Sequence, residues 1–131
     1  MSGHMFFSNR YFGFDDAIYA SLRLLEIVAN SGKPLSSLLA DLPQSVSTPE
    51  IRVDCPDEKK FTIAAKATEY FRQHFDLIDV DGARVCFADG WGLIRASNTQ
   101  PALVLRFEAS SQEKLDEYRA LIENKLQEFQ T

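Results

Sequence analysis

Between residues 15 and 30 the apolar positions fall on one side of a helix. Phe14, Ile18, Leu22, Leu25 and Val28 recur at three- and four-residue steps, with Leu24 and Ile27 beside them. An apolar arc this wide predicts a helix buried against more than one neighbour. Asp15 or Asp16 supplies the N-cap, and "NSGKP" ends the helix, with Gly32 at the C-cap and Pro34 beyond it. Ahead of this helix, Met5 to Phe7 reads as a short strand. Behind it, "LSSLLADLP" reads as a two-turn helix and "PQSVSTPE" as a polar linker.

From about Glu50 the period changes. "EIRVDC" alternates as a strand does. "PDEKKFTIAAKATEYFRQHF" returns to helical spacing, with Pro56 in the first turn and acids beside the positive end of the helix dipole. Its predicted inner face is Phe61, Ala64, Ala65, Thr68 and Phe71. "DLIDV" and "ARVCFA" are strands joined at Asp81-Gly82, a hairpin dipeptide. "WGLIRA" and "ALVLRFEA" are two more. "SSQEKLDEYRALIENKLQEF" is the last helix, opened by a Ser110–Glu113 capping box. Leu115, Tyr118, Ile122, Leu126 and Phe129 point inward. The order from residue 50 is strand, helix, four strands, helix. It predicts an α+β fold, a mostly antiparallel sheet with helices packed on one face, preceded by a helical segment.

Composition narrows the function classes. A chain of 131 residues, 45% hydrophobic and 25% charged, fits one soluble globular domain or one domain plus a piece of another. The net charge of -5 argues against a broad nucleic-acid surface, which needs clustered Lys and Arg. A local anion site remains compatible with it. Cys55 and Cys86 have no CxxC partner, so they read as buried thiols of a reducing, cytoplasmic setting and not as zinc ligands. No apolar run reaches the ~18 residues of a membrane span, and "MFF" is too short for the core of a signal peptide.

One stretch concentrates hydrogen-bonding chemistry. "RASNTQP", Arg95 to Pro101, lies between two predicted strands. Ser97, Asn98 and Thr99 in a turn expose backbone N–H groups that can gather around an anion. Arg95 adds a planar, permanently charged fork that matches phosphate oxygens. The same residue types also build ordinary turns, and composition alone favours that plainer reading. His4, in "SGH", is suited to proton transfer near neutrality, with Ser2 and Gly3 allowing close ligand approach. A lone histidine near a terminus is more often solvated. His74 reads as surface, and Trp91, between Gly90 and Gly92, as a loop anchor. No carboxylate pair stands out, and there is no HExxH, Walker A loop or GxGxxG.

Two longer motifs carry more. "MSGH-FF----FGFDD-IY---RLLEI" at the start and "GWGLIRASNTQPALVLRFEA" near the end resemble the α-D-phosphohexomutase family, on its bacterial phosphomannomutase/phosphoglucomutase branch. The resemblance runs over nearly the whole chain and includes "STPEI" at 47–51. The family's full enzyme is much longer and has four domains. The resemblance assigns residues 1–44 to the tail of the sugar-binding third domain and 45–131 to the phosphate-binding C-terminal domain, whose fold is TATA-binding-protein-like. "MSGH" matches the end of the family's sugar loop, so "SGHM" is read as native and not as a cloning remnant.

Carried over by position, Arg95, Ser97, Asn98 and Thr99 are the clamp for the phosphate that is not transferred. Ser2 falls among the sugar-binding residues, and His4 lies near the reacting phosphate as a candidate catalytic group. Gln100 stands where many relatives have Thr. The phosphoserine and the aspartates that hold magnesium have no counterpart in these residues, so this chain is expected to bind no metal of its own and to be inactive alone. The implied ligand is a mannose or glucose 1- or 6-phosphate. The implied partners are the missing N-terminal domains. Phe14 to Val28, deprived of their usual cover, are expected to drive self-association or to fold onto the fourth domain. Two other readings stand beside this one: a free-standing phosphate- or phosphosugar-binding module without catalysis, and a structural α+β domain whose loop is only a turn.

Overall fold

The computed structural model describes residues 3–130. It resolves into two compact units, Met1–Leu42 and Pro43–Thr131.

The first unit is built around helix α1, Ala17–Ser31. Its N-cap is Asp16, whose carboxylate accepts from Tyr19 N–H at 2.9 Å, and Gly32 closes it in the left-handed region at φ 63°. Tyr11 also donates its hydroxyl proton to Asp16. That bond holds the Asp16 carboxyl below its ordinary range and pushes the Tyr11 phenol above its own. Tyr11 stacks on Tyr19 at 4.0 Å between centroids, so cap and aromatic cluster support one another. Two expectations change here. Met5 to Phe7 forms no strand. Phe6 makes only an isolated bridge to Asp15, because no further strand of this unit lies among the described residues to extend it. "LSSLLADLP" is not a two-turn helix but a 3-10 turn, Leu35–Ser37, followed by turns. Successive bonds there run i to i+3, and Ser37 Oγ donates to Pro34 O, which competes with helical pairing.

Helix α1 buries little. Ala20 is buried, while Ile18, Leu22 and Leu25 are exposed, Ile18 at 76%. A groove of about 470 Å³ runs along it, lined by Met5, Phe7, Ala20, Leu24 and Ile27.

The second unit is an α+β layer. Its strands are β1 Val46–Ser47, β2 Ile51–Asp54, β3 Asp76–Ile78, β4 Ala83–Phe87, β5 Gly90–Ala96 and β6 Ala102–Ala109. Every pairing is antiparallel, in the order β1-β6-β5-β4-β3, with β2 also on β6. Helices α2, Asp57–Arg72, and α3, Gln112–Gln130, pack on the sheet. Alternation along β6 turns Leu103, Leu105, Phe107 and Ala109 into one core with Val85, Ile94, Phe71, Ile122 and Leu126. Gly92 lies against that core, where an added side chain would force Ile122 and Phe107 to shift. A Cβ there would sit 2.4 Å from Ile122 Cδ1 and 3.0 Å from the Phe107 ring. No helix among the described residues is long and apolar enough to cross a membrane.

The expected polar linker "PQSVSTPE" contains β1 and a buried Thr48. Thr48 N–H donates to Phe107 O at 3.0 Å and its Oγ1 accepts from Phe107 N–H at 3.1 Å. Pro49 has no N–H to continue the ladder, and the threonine side chain fills the gap between β1 and β2. The inner face of α2 is Lys60, Ile63, Ala67 and Phe71; of the expected set, Phe71 is buried and Ala64 packs against the core, but Phe61 is 56% exposed. Trp91 is no loop anchor. It lies within β5, half-buried, with the Arg84 guanidinium 4.5 Å from its ring. The cap of α3 is Ser111, whose Oγ accepts from Lys114 N–H at 3.3 Å, while Ser110 N–H goes to Asp89 O.

Candidate functional site

The connection from β5 to β6 is tight at its neck and open at its tip. Ser97 N–H donates to Ala102 O at 2.9 Å, and Ala102 N–H to Gln100 O at 2.8 Å. Ser97 itself is buried. Its Oγ accepts from Gln100 N–H at 3.1 Å and from Thr99 N–H at 3.4 Å. A hydroxyl that accepts these two still has its own proton to donate. Asn98 and Thr99 are exposed at the tip. The Asn98 N–H and both their side chains make no hydrogen bond among the described residues. Ser97, Asn98 and Thr99 thus share one turn, but with a difference from the sequence reading. Two of the backbone N–H groups expected to face an anion turn inward to Ser97 Oγ.

Arg95 sits at the end of β5, opposite Val104 of β6. Arg52 of β2 is opposite the same Val104, so the two guanidiniums leave the sheet on one face, away from the helices. Arg95 Nη1 donates to Asp81 Oδ2 at 2.9 Å, with the side chains 39% and 69% exposed. An ion pair this exposed is weak and exchangeable. Arg52 bonds Glu50 Oε1 through Nε at 2.9 Å and Gln100 Oε1 through Nη1 at 2.8 Å. The Arg52 hydrogen bond, with Arg95 adding its charge, holds the Glu50 carboxyl below its usual range.

Arg95 also depends on Gly82. Gly82 has φ 81°, and a Cβ on it would lie 2.2 Å from Ile94 O and 2.7 Å from Arg95 Cβ. The Asp81-Gly82 turn therefore both faces Arg95 and permits its backbone to pass.

His4 lies in the first unit. Its Nδ1 is 2.5 Å from Asp15 Oδ2, which fixes the ring and leaves Nε2 for a ligand. Gly3, at φ 75°, has open space where a side chain would be. Ser2 lies outside the described residues. His74 is exposed, stacked on Tyr70. Cys55 is buried and Cys86 half-buried, both as free thiols, and burial pushes the Cys55 thiol up. Among the described residues no group of His, Cys, Asp and Glu could hold a metal ion.

Sequence reasoning missed Lys60, Arg52, Asp81 and Asp15 as neighbours of these candidates. All four come from other parts of the chain. The pairing of β2 with β6 brings in Arg52, the β3–β4 turn brings in Asp81, and the packing of α2 brings in Lys60.

Comparison with known proteins decides the family. The domain described as phosphoglucomutase/phosphomannomutase, C-terminal domain, matches residues 50–125. The chain belongs to the phosphoglucomutase/phosphomannomutase family. The alpha/beta/alpha domain III of that family matches residues 1–46. Among curated relatives, a phosphomannomutase/phosphoglucomutase of Pseudomonas putida is 46% identical over 127 residues, covering 96% of this chain and 27% of that protein. A phosphoglucomutase of Neisseria gonorrhoeae is 48% identical over 133 residues, covering 95% and 28%. A phosphoglucomutase/phosphomannomutase family protein of Burkholderia thailandensis, solved by crystallography, superposes at TM-score 0.76 with 39% identity over 98% of this chain and 27% of that one. An N-acetylphosphoglucosamine mutase of Aspergillus fumigatus, 21% identical at TM-score 0.54, shares the fold. The chain thus spans about a quarter of the length of the relatives it matches, 27% and 28% for the two curated ones named here. Those relatives are isomerases.

Proposed function

We propose that this chain supplies the phosphate clamp and part of the sugar site of a phosphohexomutase that interconverts hexose 1-phosphates and 6-phosphates of mannose or glucose. The observation that carries the reading is the β5–β6 turn. An exposed guanidinium stands in a weak ion pair at its entrance, Ser97 braces it from within, and unengaged donors of Asn98 and Thr99 line its tip. A phosphate dianion can replace the Asp81 carboxylate on Arg95 with a stronger, two-pronged contact.

In such an enzyme a phosphoserine outside these residues gives its phosphate to the substrate. The resulting bisphosphate turns around and returns the other phosphate. The clamp then grips either end of the sugar in turn. Small hydroxyl, amide and backbone donors suit that task because they read phosphate and make few demands on the ring. Binding energy from the remote phosphate goes into positioning the reacting end. His4, oriented by Asp15, is placed to exchange a proton with a substrate hydroxyl through Nε2. Magnesium in the full enzyme belongs to residues beyond this chain. The 131 residues alone should not turn over substrate.

The test uses a longer protein that contains these residues. Ser97→Ala should weaken use of hexose 1-phosphate and hexose 6-phosphate alike, by about 1–3 kcal/mol in kcat/KM, through loss of a donor and of the turn's brace. A defect confined to one isomer contradicts a clamp that serves both orientations.

The exposed side of α1 has its own consequence. Ile18, Leu22 and Leu25 stand in water at about 1.5–3 kcal/mol of unrealised burial each. We expect the 131-residue chain to self-associate through residues 14–28. A chain of residues 43–131, whose core is complete within itself, should sediment as a folded monomer. The idea fails if the whole chain sediments as a monomer at high concentration, or if the shorter chain is unfolded.

A further inference from the structure

Lys60 occupies a place where a lysine is unfavourable on three counts. It is 4% exposed, it lies in the first turn of α2 at the positive end of the helix dipole, and its long side chain is held in one geometry. A leucine in the same buried position would carry none of those penalties. The ammonium is not idle. Nζ donates to the backbone carbonyl of Gln100 at 2.9 Å and pairs with Asp57 Oδ1 at 2.6 Å, with the Phe61 ring centroid 5.2 Å away. Asp57 is 69% exposed, so the pair satisfies the ammonium from the solvent side while the loop carbonyl satisfies it from within.

Gln100 is the far end of the turn that Ser97 braces. Its N–H is held by Ser97 Oγ, its carbonyl is shared by Ala102 N–H and Lys60, and its side-chain oxygen is held by Arg52. Arg52 is exposed and reaches only the side chain. The Lys60 contact ties the turn's backbone to helix α2, and Cys55 N–H, donated to Pro101 O at 2.9 Å, ties it to the segment just before that helix.

We infer that Lys60 is a positioning residue for the anion site, fixing the Gln100 peptide so that Ser97, Asn98 and Thr99 present their donors in one geometry. The inference rests on the phosphate-clamp reading above. It assigns a role to Gln100 as well. A glutamine here can add the Arg52 bond, but the essential tie runs through its backbone. Gln100→Ala should therefore be nearly silent where Lys60→Met is not.

The experiment titrates inorganic phosphate into the isotopically labelled 131-residue chain and follows the amides of 97–100. Lys60→Met keeps the length and apolar character of the stem and removes only the ammonium. It should raise the phosphate Kd of the folded protein by about tenfold, while Gln100→Ala changes it less than about threefold. A lysine with a merely structural role would lower the melting temperature and leave the Kd of the folded fraction unchanged, and that result overturns the inference. The Lys60 ammonium signal of the unmutated chain gives an answer even if the variant does not fold. It should be protected from exchange and should shift on phosphate addition. A rapidly exchanging ammonium that ignores saturating phosphate overturns the assignment. If the unmutated chain shows no phosphate response at 97–100 while its Lys60 ammonium is protected, the clamp reading has failed and the positioning role falls with it. If the chain responds but Lys60→Met binds equally well, the clamp stands and only the role of Lys60 is lost.

Discussion

Gly82→Ala should destabilise the second unit by roughly 2–5 kcal/mol, as the sum of left-handed backbone strain and steric overlap. The residue has φ 81°, where a Cβ is unfavourable in any surroundings. Here the new methyl also meets Ile94 O at 2.2 Å and Arg95 Cα at 2.9 Å. Both are backbone atoms of a strand hydrogen-bonded on each side, so they cannot yield cheaply. The displacement falls on Arg95, and phosphate affinity should drop together with stability. Gly32→Ala is the control. It shares a left-handed φ of 63° but has open space around its Cβ, so it should cost only about 1 kcal/mol. Chemical denaturation of both variants distinguishes the cases. Equal, small losses would show that the hairpin can shift away from β5.

Arg95→Ala should abolish measurable phosphate binding and barely change stability. The guanidinium is the one permanently charged donor among the four clamp candidates, and a charge-assisted contact contributes about 1.5–3 kcal/mol. That is a large share of a millimolar affinity of ~4 kcal/mol. The ion pair lost with Asp81 is exposed on both sides, so the melting midpoint should move by the equivalent of about 1 kcal/mol or less. Isothermal titration with inorganic phosphate, paired with thermal unfolding, measures both quantities. Undiminished binding would remove Arg95 from the site.

The contrast between these variants follows from where each residue's partners come from, and the same distinction explains what was legible in the sequence. Asp16 as cap, Gly32 as stop and the Asp81-Gly82 hairpin are local signals, each carried by residues within a few positions of one another. The antiparallel layer followed from strand alternation and short connections. The face of α2 did not. Phe61 is the more apolar residue, so periodicity counted it as inward and passed over Lys60, whose stem lies in the core and whose ammonium finds a carbonyl forty positions away. Thr48 was hidden for the same reason, since only its bond to Phe107 marks it as part of the sheet. The candidate site divides the same way. Arg95, Ser97, Asn98 and Thr99 fall within one short stretch and could be read as one anion turn. Arg52, Asp81 and Lys60 reach it through the register of β2 on β6, the β3–β4 turn and the packing of α2, none of which the chain announces locally.

The most direct test of the clamp is to titrate the labelled 131-residue chain separately with mannose 1-phosphate, glucose 6-phosphate and neutral glucose, following its amide signals. The two phosphates should shift the same amides, those of Ser97, Asn98 and Thr99, and saturate in the millimolar range, ~4 kcal/mol. Neutral glucose should leave them in place. Shifts that appear with glucose, that differ in location between the two phosphates, or that spare residues 97–99 altogether would contradict a site built to hold the phosphate at either end of a hexose.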